Sequence, residues 1–419
     1  MKFFLLVSTL AANLIAQTIP AADPAQVGLA KDRLARIAVH MNKQIESEHM
    51  SGAVGLVLRN GKAAYFDQWG YMDRDAKTPM RKDTIFRIYS MSKALTGVAV
   101  MMLYEEGRFF LNDPVSKYLP EFKKLQVGVE HNGRVVATEP SEREITIRDL
   151  MRHTSGVVDY NGSLDADGVP YLRKYNLQQP DISLTEVITR ITKIPLMHQP
   201  GTTFHYGYSI DVLGRLVEVV SGMPFDQFVE QRITKPLGMV DTGYYVPESK
   251  WNRFVVVDMP AGEGKVKRGT AAQQEWPRKK PAAAMGGQGM VSTAMDYARF
   301  CQMLLNGGTL DGKRILGRKS VELMSADHLG TLGRTRGLAT LAPGIGFGLT
   351  FAIVQNPGQL GALGTVGEYY WGGAAGTKFW IDPKEKIVTV FMVNIFPSPG
   401  GAPDLGNQFK TLVYQSIVD

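Results

Sequence analysis

Strand-like runs stand at the two ends of this chain, and helical runs broken by Pro and Gly stand between them. Any sheet it forms must therefore join its first quarter to its last. Near the front, residues 53–59 and 62–66 flank Asn60-Gly61, the strongest short hairpin signal because both turn positions favour positive φ. Near the end, strand patterns cover 346–354, 378–381 and 386–394, with Asp382-Pro383-Lys384-Glu385 as a turn. Helical spacing covers 31–49, 90–106, 145–152, 184–194, 212–221, 225–233 and 291–306, and 403–418 reads as a closing helix. Sequential hairpins pair antiparallel, and helices segregated in this way imply an α+β fold: an antiparallel sheet flanked by helices, with a mainly helical domain. The expected boundaries are 23–107 and 286–419 for a discontinuous sheet domain and 108–285 for the helical one, with the active site in the cleft between them.

With 419 residues, 44% of them hydrophobic, the chain can bury a sizeable core. The net charge of +7 raises nucleic acid as a partner, but the basic residues are scattered. Their densest clusters, at 265–268 and 278–280, lie in a stretch rich in Gly, Pro and Ala that reads as a solvated surface loop, so no nucleic-acid partner is expected. Cys301 is the one cysteine and sits in an apolar helical run, as a small buried side chain does. Lys2, the mostly apolar stretch from Phe3 to Ile15 and the small residues Ala16, Ala21 and Ala22 read as an export signal within 1–22. The apolar stretch is short for a membrane span, so the expectation is a periplasmic or secreted protein with no stable membrane insertion after the signal is removed.

Chemistry concentrates first at Ser90-Met91-Ser92-Lys93, where the long apolar stretch from 90 to 106 begins. Residues i and i+3 share one helix face, so the lysine amine can reach the serine hydroxyl. A neutral amine there takes the hydroxyl proton; burial and a helix N-terminus both disfavour a lysine's charged form. These are the parts of an activated nucleophile. Alternatives find less support. There is no Gly-x-Ser-x-Gly pentapeptide of a Ser-His-Asp hydrolase and no His-Glu-x-x-His metal motif. Gly286-Gly287-Gln288-Gly289 lacks the spacing and the preceding strand of a dinucleotide loop, so neither metal nor cofactor is expected.

The context Phe86-Arg87-Ile88-Tyr89-Ser90-Met91-Ser92-Lys93 resembles the nucleophile motif of the serine β-lactamase and penicillin-binding-protein superfamily, closest to the bacterial carboxylesterases (family VIII type) related to class C β-lactamases. Two further motifs follow in order. One is His205-Tyr206-Gly207-Tyr208-Ser209-Ile210-Asp211-Val212-Leu213-Gly214, similar to the family's tyrosine motif. The other is Trp371-Gly372-Gly373-Ala374-Ala375-Gly376-Thr377, similar to the Trp-x-Gly form of the esterase branch. Arg152-His153-Thr154-Ser155-Gly156 is a lesser match.

The resemblance implies a β-lactamase/transpeptidase-like fold and acyl transfer through an acyl-enzyme. Ser90 is then the nucleophile and Lys93 its proton acceptor. Tyr206 completes the relay, preferred over Tyr208 because it stands five residues before Asp211, the family spacing. The oxyanion donors would be the backbone N–H of Ser90 and one near Gly373 or Ala374, on the Trp371–Gly372–Gly373–Ala374 stretch. Tyr89, His205 and Tyr208 are candidate pocket residues. The chain departs from the lactamases by carrying Trp371 where they carry a lysine that holds substrate carboxylates, and Tyr208 where they carry Asn. Both departures favour small neutral carboxylic esters as substrates. A β-lactamase, or a D-Ala-D-Ala carboxypeptidase-like amide hydrolase, would use the same machinery. A catalytically silent binding or sensor protein is the reading from another class.

Overall fold

The computed structural model describes residues 19–160, 163–177, 179, 181–334, 341–398 and 404–419; most of the 1–22 stretch expected to be an export signal lies outside them. Eight strands form one sheet: β1 (Gly52–Arg59), β2 (Lys62–Asp73), β3 (Thr78–Pro79), β4 (Ile345–Phe347), β5 (Ala352–Val354), β6 (Tyr369–Gly372), β7 (Lys378–Asp382) and β8 (Ile387–Met392). Their order is β4-β5-β6-β7-β8-β1-β2-β3, and every neighbouring pair is antiparallel. The join is the β1–β8 ladder, with Val54 opposite Met392 and Arg59 opposite Ile387.

The ladder is central because β1 is buried on both faces. Successive strand residues point to opposite sides. Val54, Leu56 and Leu58, with Val388, Val390 and Met392, therefore enter the large core. Ala53 and Val57, with Ile387 and Phe391, enter a second core beneath the other face. Helices α1 (Lys31–Glu46) and α5 (Leu405–Tyr414) cover that second face, and α2 (Ser92–Glu105) and α4 (Ala294–Leu305) pack in the large core. Gly55 is required at its place, since a Cβ would stand 2.6 Å from the Phe409 ring of α5. The turn residues Asn60 and Gly61 take φ of 52° and 75°, so the Asn-Gly signal does what its chemistry dictates.

Elsewhere the structure differs from the sequence expectations. β2 runs on past residue 66 to Asp73. The 346–354 run is two strands, β4 and β5, because the chain reverses between them, with Thr350 at φ of 75°. The middle of the chain also holds two hairpins, Gln126–His131 with Arg134–Pro140 and Asp258–Gly262 with Lys265–Arg268. The basic cluster at 265–268 is thus a strand rather than a loop. Val266 turns inward, while Lys265 and Arg268 pair outward with Glu48 and Asp73. At the front, the amide of Ala22 donates to Ala63 at 3.0 Å, so the last residues of the 1–22 stretch lie along β2. Among the described residues no helix is long and apolar enough to cross a membrane.

Candidate active site

Helix α2 is apolar on every side and buried from Ser92 to Leu103, which is how a helix in the middle of a core reads. A short 3-10 turn, Tyr89–Met91, leads into it and carries Ser90. Tyr89 sits at φ of 44°, a conformation uncommon for a non-glycine residue and one that clusters at functional sites. Its ring is stacked on Phe396, with centroids 4.9 Å apart, and tilted against Trp276 at 5.6 Å. Burial pushes its phenol up to about 12.

The side chains of Ser90, Lys93 and Tyr206 meet. Lys93 Nζ donates to Ser90 Oγ at 3.1 Å and to the Gly287 carbonyl at 2.7 Å. Tyr206 Oη donates to the same Ser90 Oγ at 2.7 Å. Trp371 Nε1 donates to Tyr206 Oη at 3.3 Å, which ties the end of β6 to the tyrosine. Lys93 is nearly fully buried, and its Nζ lies over two aromatic faces, Tyr206 at 4.7 Å and Tyr160 at 4.9 Å. A hydroxyl flanked by an amine and a phenol is the geometry a general-base relay needs.

The other expected residues fall into place around this centre with different partners. Tyr208 is the N-cap of α3 (Ser209–Ser221) and packs on Tyr160, with centroids 4.5 Å apart; Tyr206 is the tyrosine that reaches Ser90. His205 faces Asp159 at 3.5 Å and His198, on the side of the tyrosine motif. Gly373 differs from expectation. Its N–H donates to the Thr377 carbonyl at 2.7 Å, closing the turn between β6 and β7, and is not free to hold an oxyanion. A Cβ on Gly373 would stand 2.5 Å from the Ile88 carbonyl, so glycine lets this turn lie against the nucleophile segment. Ala374 is exposed beside it. Lys378 is bound to Asp404 at 2.6 and 2.7 Å.

Three residues that sequence reasoning did not single out as functional complete the shell. Asp211, fully buried in the first turn of α3, accepts from Tyr160 Oη at 2.7 Å and from the Gly287 amide at 2.8 Å. Burial pushes its carboxyl above the usual range against the pull of Lys93, the Tyr160 hydroxyl and the Gly287 amide. His153, fully buried, lies 4.7 Å from the Tyr206 ring between Phe204 and Phe347; burial, Lys93 and His205 hold it well below the ordinary imidazole value, so it is neutral. Arg87, three residues before the nucleophile, is buried without a carboxylate partner among the described residues. It donates instead to the carbonyls of Val255, Gln273, Gln274 and Trp276 and lies over the Phe254 ring at 4.1 Å. Burial lowers its guanidinium to about 9. Three of those carbonyls belong to Gln273, Gln274 and Trp276, at the C-terminal end of the helix Ala271–Glu275, where a cation is favoured. No metal-binding cluster of His, Cys, Asp or Glu occurs among the described residues.

A family model described as Beta-lactamase matches residues 34–412. An uncharacterised protein of Mycobacterium tuberculosis is 36% identical over 358 residues, covering 83% of this chain and 86% of that protein. Esterase EstB of Burkholderia gladioli is 29% identical over 399 residues, covering 90% of this chain and 94% of the esterase. Among solved structures, EstCE1, described as a hydrolase with promiscuous acyltransferase activity, superposes with a TM-score of 0.75 at 26% identity, over 91% of this chain and 99% of that one.

Proposed function

From the premise that the chain belongs to the beta-lactamase family, and is a serine hydrolase, we propose that it is a carboxylesterase that cleaves small neutral esters through an acyl-enzyme on Ser90. The observation that carries the reading is the convergence of Lys93 Nζ and Tyr206 Oη on Ser90 Oγ. In this mechanism Oγ attacks the ester carbonyl carbon and its proton passes to Lys93. Tyr206, held by Trp371, relays that proton to the departing alcohol oxygen as the carbon–oxygen bond breaks. Water then repeats the cycle on the acyl-enzyme and releases the acid. The oxyanion is held by the backbone N–H of Ser90 and, with Gly373 engaged in its turn, that of Ala374; one such donor contributes about 3–4 kcal/mol.

The preference for esters rests on charge. Trp371 offers a neutral N–H where lactamases place a lysine, and the nearby Lys378 is already neutralised by Asp404. A carboxylated β-lactam or peptide finds no such cation there. The name of the EstB relative and the description of EstCE1 support the esterase reading. Tyr89, His205 and Tyr208 are proposed to shape the surroundings of the pocket rather than to react. We further propose a periplasmic or secreted location, with the signal cut near Ala16, which would leave the contact of Ala22 with β2 intact. Fractionation of cells expressing the full chain tests this.

The deciding experiment compares p-nitrophenyl butyrate, nitrocefin and a D-Ala-D-Ala peptide side by side, with Ser90→Ala as control. The expected result is kcat/KM highest by orders of magnitude for the ester, and a loss of roughly 10⁴-fold or more in Ser90→Ala. Full activity in Ser90→Ala rejects the mechanism. Failure of a fluorophosphonate probe to label Ser90 points instead to a silent binding protein.

A further inference from the structure

Around Lys93 the hydrogen bonds close into a ring that the relay itself does not use. Lys93 Nζ donates to the Gly287 carbonyl, the Gly287 amide donates to Asp211 Oδ1, and Asp211 Oδ2 accepts from Tyr160, whose ring face turns back to Lys93 at 4.9 Å. The ring spans four separate stretches of chain: α2, the 286–290 loop, α3 and the Tyr160 segment. The loop is fastened to α2 at more than one point. Thr96 Oγ1 donates to the Gly286 carbonyl at 2.6 Å, and the Met290 amide donates to Ser92 Oγ at 3.3 Å. Glycine is required at 287, because a Cβ would stand 2.7 Å from Asp211 Oδ2 and collide with the Tyr160 hydroxyl. Asp211 offers one oxygen to each of the two donors, an arrangement that its carboxylate form satisfies fully. No lysine or arginine makes an ion pair with it among the described residues.

A buried carboxylate that has no bonded cation normally costs stability, and such a group is retained where it has another task. We propose that Asp211 is a positioning residue for the reaction: its carboxylate holds the Gly287 loop and the Tyr160 ring around Lys93, and offsets the positive charge that the amine acquires when it takes the Ser90 proton. The groups that share this pocket are Lys93, Tyr160, Tyr206, Tyr208, Tyr244 and His153. Of these only Lys93 has a cationic form that the neighbouring carboxylate can hold in place, since His153 is kept neutral. The inference rests on the Ser90–Lys93 esterase reading.

The test uses the full chain and p-nitrophenyl butyrate across pH 5 to 10. Asp211→Asn keeps the shape and removes the charge. It is expected to lower kcat by about 100-fold with KM within about twofold, and to move the acid limb of kcat/KM down by about one pH unit, because the ammonium form of the base is no longer favoured. Tyr160→Phe keeps the ring over Lys93 and deletes only the hydroxyl that supports the carboxylate. It is expected to lose about tenfold and to move the limb less, in the same direction. This second variant decides the matter where Asp211→Asn does not fold. An acid limb that stays in place, or a loss confined to KM, overturns the proposal. Ser90→Ala separates the two readings: if it is inactive while both other variants match the parent enzyme, only the role of Asp211 falls.

Discussion

Asp149 and Asp211 occupy the same position, the third residue of a helix, in two regions that both border the site, and their surroundings drive them in opposite directions. Asp149 closes a capping box with Thr146 at the start of the helix Ile147–Met151 and pairs with Arg143 at 2.7 Å and Arg152 at 3.0 Å. Burial alone would raise its carboxyl, but Arg143 and Thr146 outweigh it and hold the group at about 2. Asp211 follows Tyr208, which caps nothing with its side chain, and finds a phenol and an amide in place of arginines. It stays above the ordinary carboxylate range. A charge given cations stabilises the fold; a charge left without them remains available to the chemistry beside it.

Removing the first charge tests the contrast most severely. Asp149→Ala leaves the half-buried Arg152 without its carboxylate and opens the capping box, and is expected to cost about 2–3 kcal/mol, read from urea denaturation, while the folded fraction keeps its activity per molecule. An unchanged urea midpoint breaks the comparison. A comparable effect follows from pH. With a native value near 2 against roughly 3.9 in the unfolded chain, Asp149 contributes stability above about pH 4 that is lost as pH falls through 2, on the order of 2.5 kcal/mol. Asp211, shifted upward, carries the opposite slope, its contribution present at low pH and lost as pH rises. Stability measured from pH 6 to 2 should therefore fall less steeply in Asp149→Asn than in the parent; equal slopes would mean that the arginines do not set the group. The smallest effect is expected at Lys378, whose pair with Asp404 is partly exposed. Lys378→Ala should cost under about 1 kcal/mol and leave ester turnover within about twofold. A large loss of turnover would show that this lysine serves substrate after all.

The chain's motifs led directly to Ser90, Lys93 and Tyr206, because each stands in a local pattern whose spacing is itself the geometry. The Asn60-Gly61 hairpin was readable for the same reason. The Asp211–Gly287–Tyr160 ring was not: its members lie far apart in the chain, and an Asp in the first turn of a helix looks the same whether it caps that helix, as Asp149 does, or faces another segment. Gly373 looked free because a glycine run signals close approach without saying which amide the turn consumes. The 265–268 cluster looked like a loop because a two-stranded ribbon needs only one inward residue, Val266, and four residues with three charges show no alternation worth the name.

The seam between β1 and β8 sets a timetable for synthesis. The ribosome releases Ser90 and Lys93 early, but β1 cannot gain the neighbour on its inner side until Ile387–Met392 has emerged, and Trp371 arrives only shortly before. Through most of translation the growing chain presents β1 paired only with β2, its other edge open along an almost wholly apolar strand, a template for faulty pairing that invites a chaperone to hold it. The same delay postpones assembly of the hydrolytic machinery until almost the last residue is made, so that a truncated product should be harmless to esters around it.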